Sequence, residues 1–205
     1  MFISILLATT FPLGAQDITT ALERAIVDEM NLARTNPRQY AAYLRELLPT
    51  FFGDLIRRPG QPDLKTSEGP QALREAIAFL EKQDPLDSLA FSAGLSASAR
   101  DHAQDQAGGA LGHTGSDGSD MATRISRHGR WSGSAAENIS YGPSTSRDVV
   151  IQLVVDDGVP NRGHRLAIFA ARTRFAGAGC GPHARYGSVC VIDFAAAYEE
   201  GRSRR

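Results

Sequence analysis

Three short polar stretches hold the side chains best suited to chemistry. They are Gly112-His113-Thr114-Gly115-Ser116-Asp117-Gly118, then Ala136-Glu137-Asn138-Ile139-Ser140-Tyr141-Gly142, then Arg162-Gly163-His164-Arg165. Each reads as a turn between packed elements, where side chains reach a ligand most freely. Two imidazoles with one or two carboxylates can ligate Zn²⁺ or a similar divalent ion. They can also act as general acid and base toward a bound substrate, with His113, Glu137 and His164 as candidate catalytic groups. A third reading is structural: the same groups hydrogen-bond one another and pin the loops to the body of the protein. All three stay open at this level. A serine nucleophile has little support, because neither Ser116 nor Ser140 sits in a Gly-x-Ser-x-Gly turn. The run Asp117-Gly118-Ser119-Asp120 lacks the spacing and the closing Glu of a calcium loop.

The elements that must position these residues are helical first and extended last. Leu22, Ile26, Met30 and Ala33 recur at helical spacing and stop at Asn36-Pro37, where a proline ends one helix and can open the next. That second helix runs over about 37–48, with Tyr40, Leu44 and Leu47 on one face. Residues 50–69 read as a loop or lid-like insertion carrying Phe51-Phe52, and Pro70 opens a third helix with Leu73, Ile77 and Leu80 inward. Ser92 caps a helix to about 107, a short helix follows near 120–128, and Ser146 caps another to 156 or 157. Two extended runs, 172–181 and 187–197, close the chain. This order predicts an α+β layered domain and not a parallel βαβ fold. The remaining histidines have plainer readings: His102 in the core, His128 at a helix C-terminus, and His183 in solvent on the hairpin connection.

Composition narrows the function classes. The chain has 205 residues, 42% hydrophobic and 22% charged, with a formal net charge of −1. That charge argues against nucleic acid as the main partner, which would require clustered Lys and Arg. Residues 2–14 are apolar and uncharged, too short to span a bilayer, and fit the core of a signal peptide covering 1–16. A buried N-terminal strand is the other reading. With such a leader the mature protein is secreted or periplasmic, without a transmembrane anchor. Cys180 and Cys190 flank a Gly/Pro-rich connection; in a hairpin folded near Arg185 they face each other at bridging distance. A disulfide is the expectation, and two buried thiols would also satisfy the pattern.

A helical segment running into His-Thr-Gly-Ser-Asp-Gly, then Glu-Asn-Ile-Ser-Tyr-Gly, then Gly-His-Arg, then a glycine-rich hairpin, resembles the CAP family of cysteine-rich secretory, antigen 5 and pathogenesis-related proteins. Asn31, Arg34 and Asn36-Pro37 also resemble the family's first helix, and the likeness spans about 18–198. It implies an α-β-α sandwich around a central antiparallel sheet over 17–198, with 199–205 as a polar tail. It further implies a cleft containing two His and two acids: His113, Glu137, His164 and, by position, Asp156, with Asp157 a close competitor. Leu153 stands where the family's helix carries Trp, Ala136 replaces a Gly, and Ala167 an Asn. With no further cysteines, the chain looks like a bacterial-type member. Such a cleft implies a divalent metal on His113 and His164, with Glu137 as ligand or orienter, or a small, lipid-like ligand. A metal-assisted or acid–base hydrolase and a ligand-free envelope interaction protein are the alternatives.

Overall fold

The computed structural model describes residues 15–60 and 63–201. The expected signal segment therefore lies outside the described residues except for Ala15 and Gln16, which begin the first helix. That helix, α1 (Ala15–Thr35), is followed after Asn36 by α2 (Pro37–Arg45), opened by its proline. The insertion folds into three two-residue strands, β1 (Phe51–Phe52), β2 (Leu55–Ile56) and β3 (Leu64–Lys65), paired antiparallel in that order. Then come α3 (Pro70–Lys82), β4 (Ala90–Phe91) and α4 (Ala93–Asp105), whose first turn is capped by Ser92 as expected. The second half contains α5 (Met121–His128), β5 (Gly129–Tyr141), α6 (Ser146–Val155), α7 (Gly163–Ile168), β6 (Phe175–His183) and β7 (Gly187–Glu200). The side chain that caps α6 is Thr145, one residue before the serine predicted for it.

The main sheet has the order β4-β6-β7-β5. Its three long strands are antiparallel, and only the short β4 runs parallel to β6. Helices cover both faces, so the central β7 reads as a nearly continuous apolar run from Val189 to Ala197, interrupted by Asp193, while the edge strand β5 does not. On one face Cys190, Ile192 and Phe194 of β7 pack with Ile26, Met30, Leu44, Leu73, Val150 and Leu153 of α1, α2, α3 and α6. On the other, Val189, Val191 and Ala195 meet Leu95, Ala99, Ala103 and Ile125 of α4 and α5. This is the predicted α-β-α sandwich. Glycine lets the second layer approach: a Cβ on Gly179 of β6 would lie 2.1 Å from the Arg100 nitrogen of α4.

Three findings depart from the sequence reading. The stretch around Glu137 is not a turn but part of β5, the edge strand beside β7. β7 continues to Glu200, whose carboxylate accepts from the Ala93 and Gly94 nitrogens at 3.1 and 2.7 Å and so anchors the start of α4. The Asn31 and Arg34 pattern of α1 has a structural job. Asn31 exchanges two hydrogen bonds with the Leu89 backbone, and the buried Arg34 guanidinium donates to the Asp87 and Ile168 carbonyls. Among the described residues no helix is long and apolar enough to cross a membrane.

Cys180 and Cys190 are directly opposed in the β6–β7 ladder and form a disulfide. The cysteines are 10 positions apart, so the bridge closes a short loop and removes little chain entropy. Denatured, unreduced protein should show no free thiol on titration. Replacing both cysteines by serine should lower the unfolding free energy by about 2–3 kcal/mol in denaturant titration.

Candidate functional site

The first candidate pair forms on the α4/α5 face of the sheet. His113 Nδ1 lies 2.8 Å from Glu137 Oε1, and Arg124 of α5 donates to Glu137 Oε2 at 2.7 Å. The Glu137 and Arg124 side chains are each 2% exposed, whereas the imidazole is 55% exposed. A carboxylate can only accept, so Nδ1 carries the proton of this hydrogen bond and Nε2 is left outside it. Burial pushes the Glu137 carboxyl up, but the His113 and Arg124 hydrogen bonds outweigh it and hold the group below its ordinary range. Both Glu137 oxygens are thereby engaged, which makes it an orienter of the imidazole and not a ligand.

The backbone around His113 is clamped as firmly as its ring. Gly112 donates to the Tyr141 hydroxyl at 3.0 Å, and its carbonyl accepts from Gln106 and from His102 Nε2 at 2.5 and 2.9 Å. The His113 carbonyl accepts from Arg124 at 3.1 Å, and Asp105 holds Ser116 N at 2.7 Å. His102 is thus a core residue, as read from its helix face, with a buried Nδ1 that makes no hydrogen bond among the described residues and lies 4.0 Å from Asp105 Oδ2.

The second pair forms on the opposite face, at the loop before α7. Asp156 Oδ1 lies 2.6 Å from His164 Nδ1, and its Oδ2 accepts from the His164 backbone nitrogen at 2.9 Å. One carboxylate therefore fixes both the ring and the first turn of α7, which has no side-chain cap of its own. Asp156 is buried in a left-handed conformation, φ 57°, and Arg162 at the other end of the loop has φ 50°. Such values in non-glycine residues are uncommon and persist only where surrounding bonds enforce them. Here Arg162 donates to the Asp156 carbonyl at 2.8 Å and closes the loop.

Asn138 links the two pairs. It follows Glu137 in the edge strand, points to the other face, and donates to the His164 carbonyl at 3.0 Å. The pairs thus straddle β5 at adjacent residues. Neither His113 nor His164 has a partner at Nε2 among the described residues. No group of three or more His, Cys, Asp or Glu side chains among the described residues is placed to hold a metal ion. The donors fit one-nitrogen contact to a cation at each imidazole, not a closed metal cage.

The family model described as "CAP: Cysteine-rich secretory protein family" matches residues 27–194. The chain belongs to the CAP family. No curated protein and no solved structure matches it.

In this CAP domain the insertion roofs an apolar groove of about 300 Å³. Phe51 and Ile56 line it from above, Ile151, Leu153 and Val155 from α6, and Asp156 and His164 border it. His113 and Glu137 are not among its lining residues. The roof is tied to the loop that carries His164. Asp157 accepts from the Ser67 and Glu68 backbone nitrogens at 2.6 and 2.8 Å, and Glu68 accepts from Gly158 N and from Arg162. The two consecutive acids therefore divide the work: Asp156 takes the imidazole and Asp157 the insertion.

Several contributors were not singled out from the sequence: Arg124, Tyr141, Asp105 and Asp193. Asp193 left a legible trace as the one acid within the apolar run from Val189 to Ala197. One histidine differs from its expected surroundings. His183 is buried, with Nε2 2.9 Å from the Ala110 carbonyl, because the connection folds back on the 3-10 turn after α4. His128 ends α5, at the helix C-terminus expected for it, and also pairs with Asp101 of α4 at 2.6 Å.

Two outcomes follow for the CAP domain. Arg124→Met leaves Glu137 buried beside a neutral side chain and should cost about 3–5 kcal/mol at neutral pH by urea unfolding. Folded Glu137 holds its proton less readily than its ordinary value of 4.5, so this stabilisation is present above that pH and lost below. The loss in the variant should therefore shrink toward about pH 4. Asp157→Ala should speed amide exchange at Ser67 and Glu68 while leaving exchange across β7 unchanged.

Proposed function

We propose that this CAP domain is an exported binding module whose apolar groove, with His164 at its border, receives a small, partly apolar ligand, while His113 offers a separate contact across β5. One observation carries the reading. Each imidazole has its Nδ1 committed to a buried carboxylate and its Nε2 left without a protein partner among the described residues. His183 uses both of its nitrogens inside the fold, and His113 and His164 do not. Carboxylate-oriented imidazoles are rigid acceptors for a hydroxyl, an N–H or a cation. The groove supplies the apolar half at the small end of the usual range for ligand pockets, with His164 and Asp156 at its border.

A divalent cation at His113 and His164 is the companion proposal. It would take one nitrogen from an imidazole, complete its shell with water, and leave the fold standing when removed. Export is supported by the apolar segment 2–14 and by the disulfide.

The test uses an environment-sensitive apolar dye and Zn²⁺ as separate probes. The dye should brighten with the wild type, and Ile151→Glu should weaken its binding by at least about tenfold. Calorimetric titration with Zn²⁺ should give heat that the His113→Ala/His164→Ala variant loses. If the dye ignores Ile151→Glu and the Zn²⁺ heats of the two proteins are equal, the clusters are structural and the reading fails.

A further inference from the structure

The group that the His113 site leaves unexplained is Asp193. It sits directly across the β5–β7 ladder from Glu137, so the two side chains share one face of the sheet. Asp193 is fully buried. Its Oδ2 accepts from the Ser98 hydroxyl of α4 at 2.7 Å, while its Oδ1 is buried with no hydrogen-bond donor among the described residues. The group within reach of it is the Glu137 carboxylate, itself an acceptor.

Two acceptors in contact and sealed from water are satisfied only if one carries a proton. The surroundings settle which. Arg124 of α5 is the cation of this cluster, and it donates to Glu137, as does His113. Asp193 has a single hydroxyl from α4. From β6 the facing position is Gly177, which brings no charge; β7 itself carries Tyr198 and, at its end, Glu199 paired with Arg130 and Glu200 bonded to the start of α4. His102 of α4 acts on Glu137. Two carboxylates and one guanidinium would leave a net negative charge in the core; one carboxylate, one carboxylic acid and one guanidinium leave none.

We propose that Asp193 is a positioning residue of the site: a buried acid, protonated at neutral pH, that donates its hydroxyl hydrogen to the Glu137 carboxylate. That proton completes a third hydrogen bond to Glu137, beside those from His113 and Arg124, and gives the orphaned oxygen its partner. Burial, and after it the Glu137 charge, push the Asp193 carboxyl well above its ordinary range against the Ser98 hydrogen bond, in agreement with the geometry. For the site the consequence is orientation. With its hydrogen bonds completed, Glu137 holds the His113 ring through Nδ1, so Nε2 is the atom the ring offers to a ligand. This last step rests on the binding role proposed above; the position of the proton does not.

The experiment reads the proton on ligand-free protein, so a failure of binding leaves it untouched. Carboxyl-carbon NMR of aspartate-labelled wild type should show Asp193 still protonated at about pH 7, with no titration near the ordinary aspartate range of about pH 4. The second measurement is stability against pH for wild type and Asp193→Asn, which retains a donor toward Glu137. Folded Asp193 holds a proton that the unfolded chain releases, so its favourable contribution is present below about pH 4 and fades as pH rises toward the folded value. The variant's melting temperature should therefore gain on the wild type steadily between about pH 4 and pH 8. A carboxyl signal that titrates near pH 4, or a difference in melting temperature that stays flat across that interval, overturns the proposal. If Asp193→Asn does not fold, the NMR titration of the wild type decides alone.

Discussion

A carboxylate shut away from water must be matched by donors, and the Glu137 carboxylate organises one whole face of this protein for that reason. It lies on an edge strand under α5, and its nearest cation comes from that helix through Arg124. Arg124 also holds the Ser119 and His113 carbonyls, so the same guanidinium that neutralises Glu137 shapes the loop between α4 and α5. His113 then has little freedom: its ring is fixed through Glu137 and its backbone through Gly112. Its exposure comes with rigidity.

The opposite face solves a similar problem with other means. Among the described residues no guanidinium bonds the Asp156 carboxylate; its oxygens are satisfied by backbone N–H groups and by the imidazole it orients. Direct use of the main chain requires the unusual φ at Asp156, and Arg162 bonded across the loop sustains it. The two imidazoles thus reach a comparable state, one nitrogen bound and one bare, by a buried ion pair on one side and a strained loop on the other. Asn138 joins the two sides through the strand between them.

Much of this was legible in the sequence, for identifiable reasons. Helix periodicity, prolines after Asn36 and Gly69, and the Ser92 cap are local signals, and they placed the helices to within a few residues except α7, whose opening Gly163-His164-Arg165 reads as a turn in the sequence. The spaced motifs marked His113, Glu137 and His164, and the position of Asp156 relative to Leu153 pointed to the acid that meets His164. What could not be read was whatever depends on strand pairing. β5 has glycine, serines and a register shift at Ser132–Ala135, so its pattern resembles a turn. With β5 missed, nothing could set Glu137 opposite Asp193. Arg124 was equally hidden, because an arginine on a short polar helix that also carries Arg127 looks solvated until the other elements cover it. His183 was misjudged for the same reason: burial of a hairpin connection depends on what folds over it.

The division of labour between Asp156 and Asp157 bears on how this segment can change. Their carboxylates lead in different directions, one to the imidazole and one to the roof of the groove, and the closing arginine stands at a fixed distance along the chain. Single side-chain replacements remove one tie at a time. Adding one residue between Val155 and Asp156 moves every tie together, putting Asp156 in the place of Asp157 and the left-handed position on a different residue. One added between Asp157 and Arg162 instead lengthens the span the arginine closes. The number of residues in this loop, more than their chemistry, is what the site cannot give up.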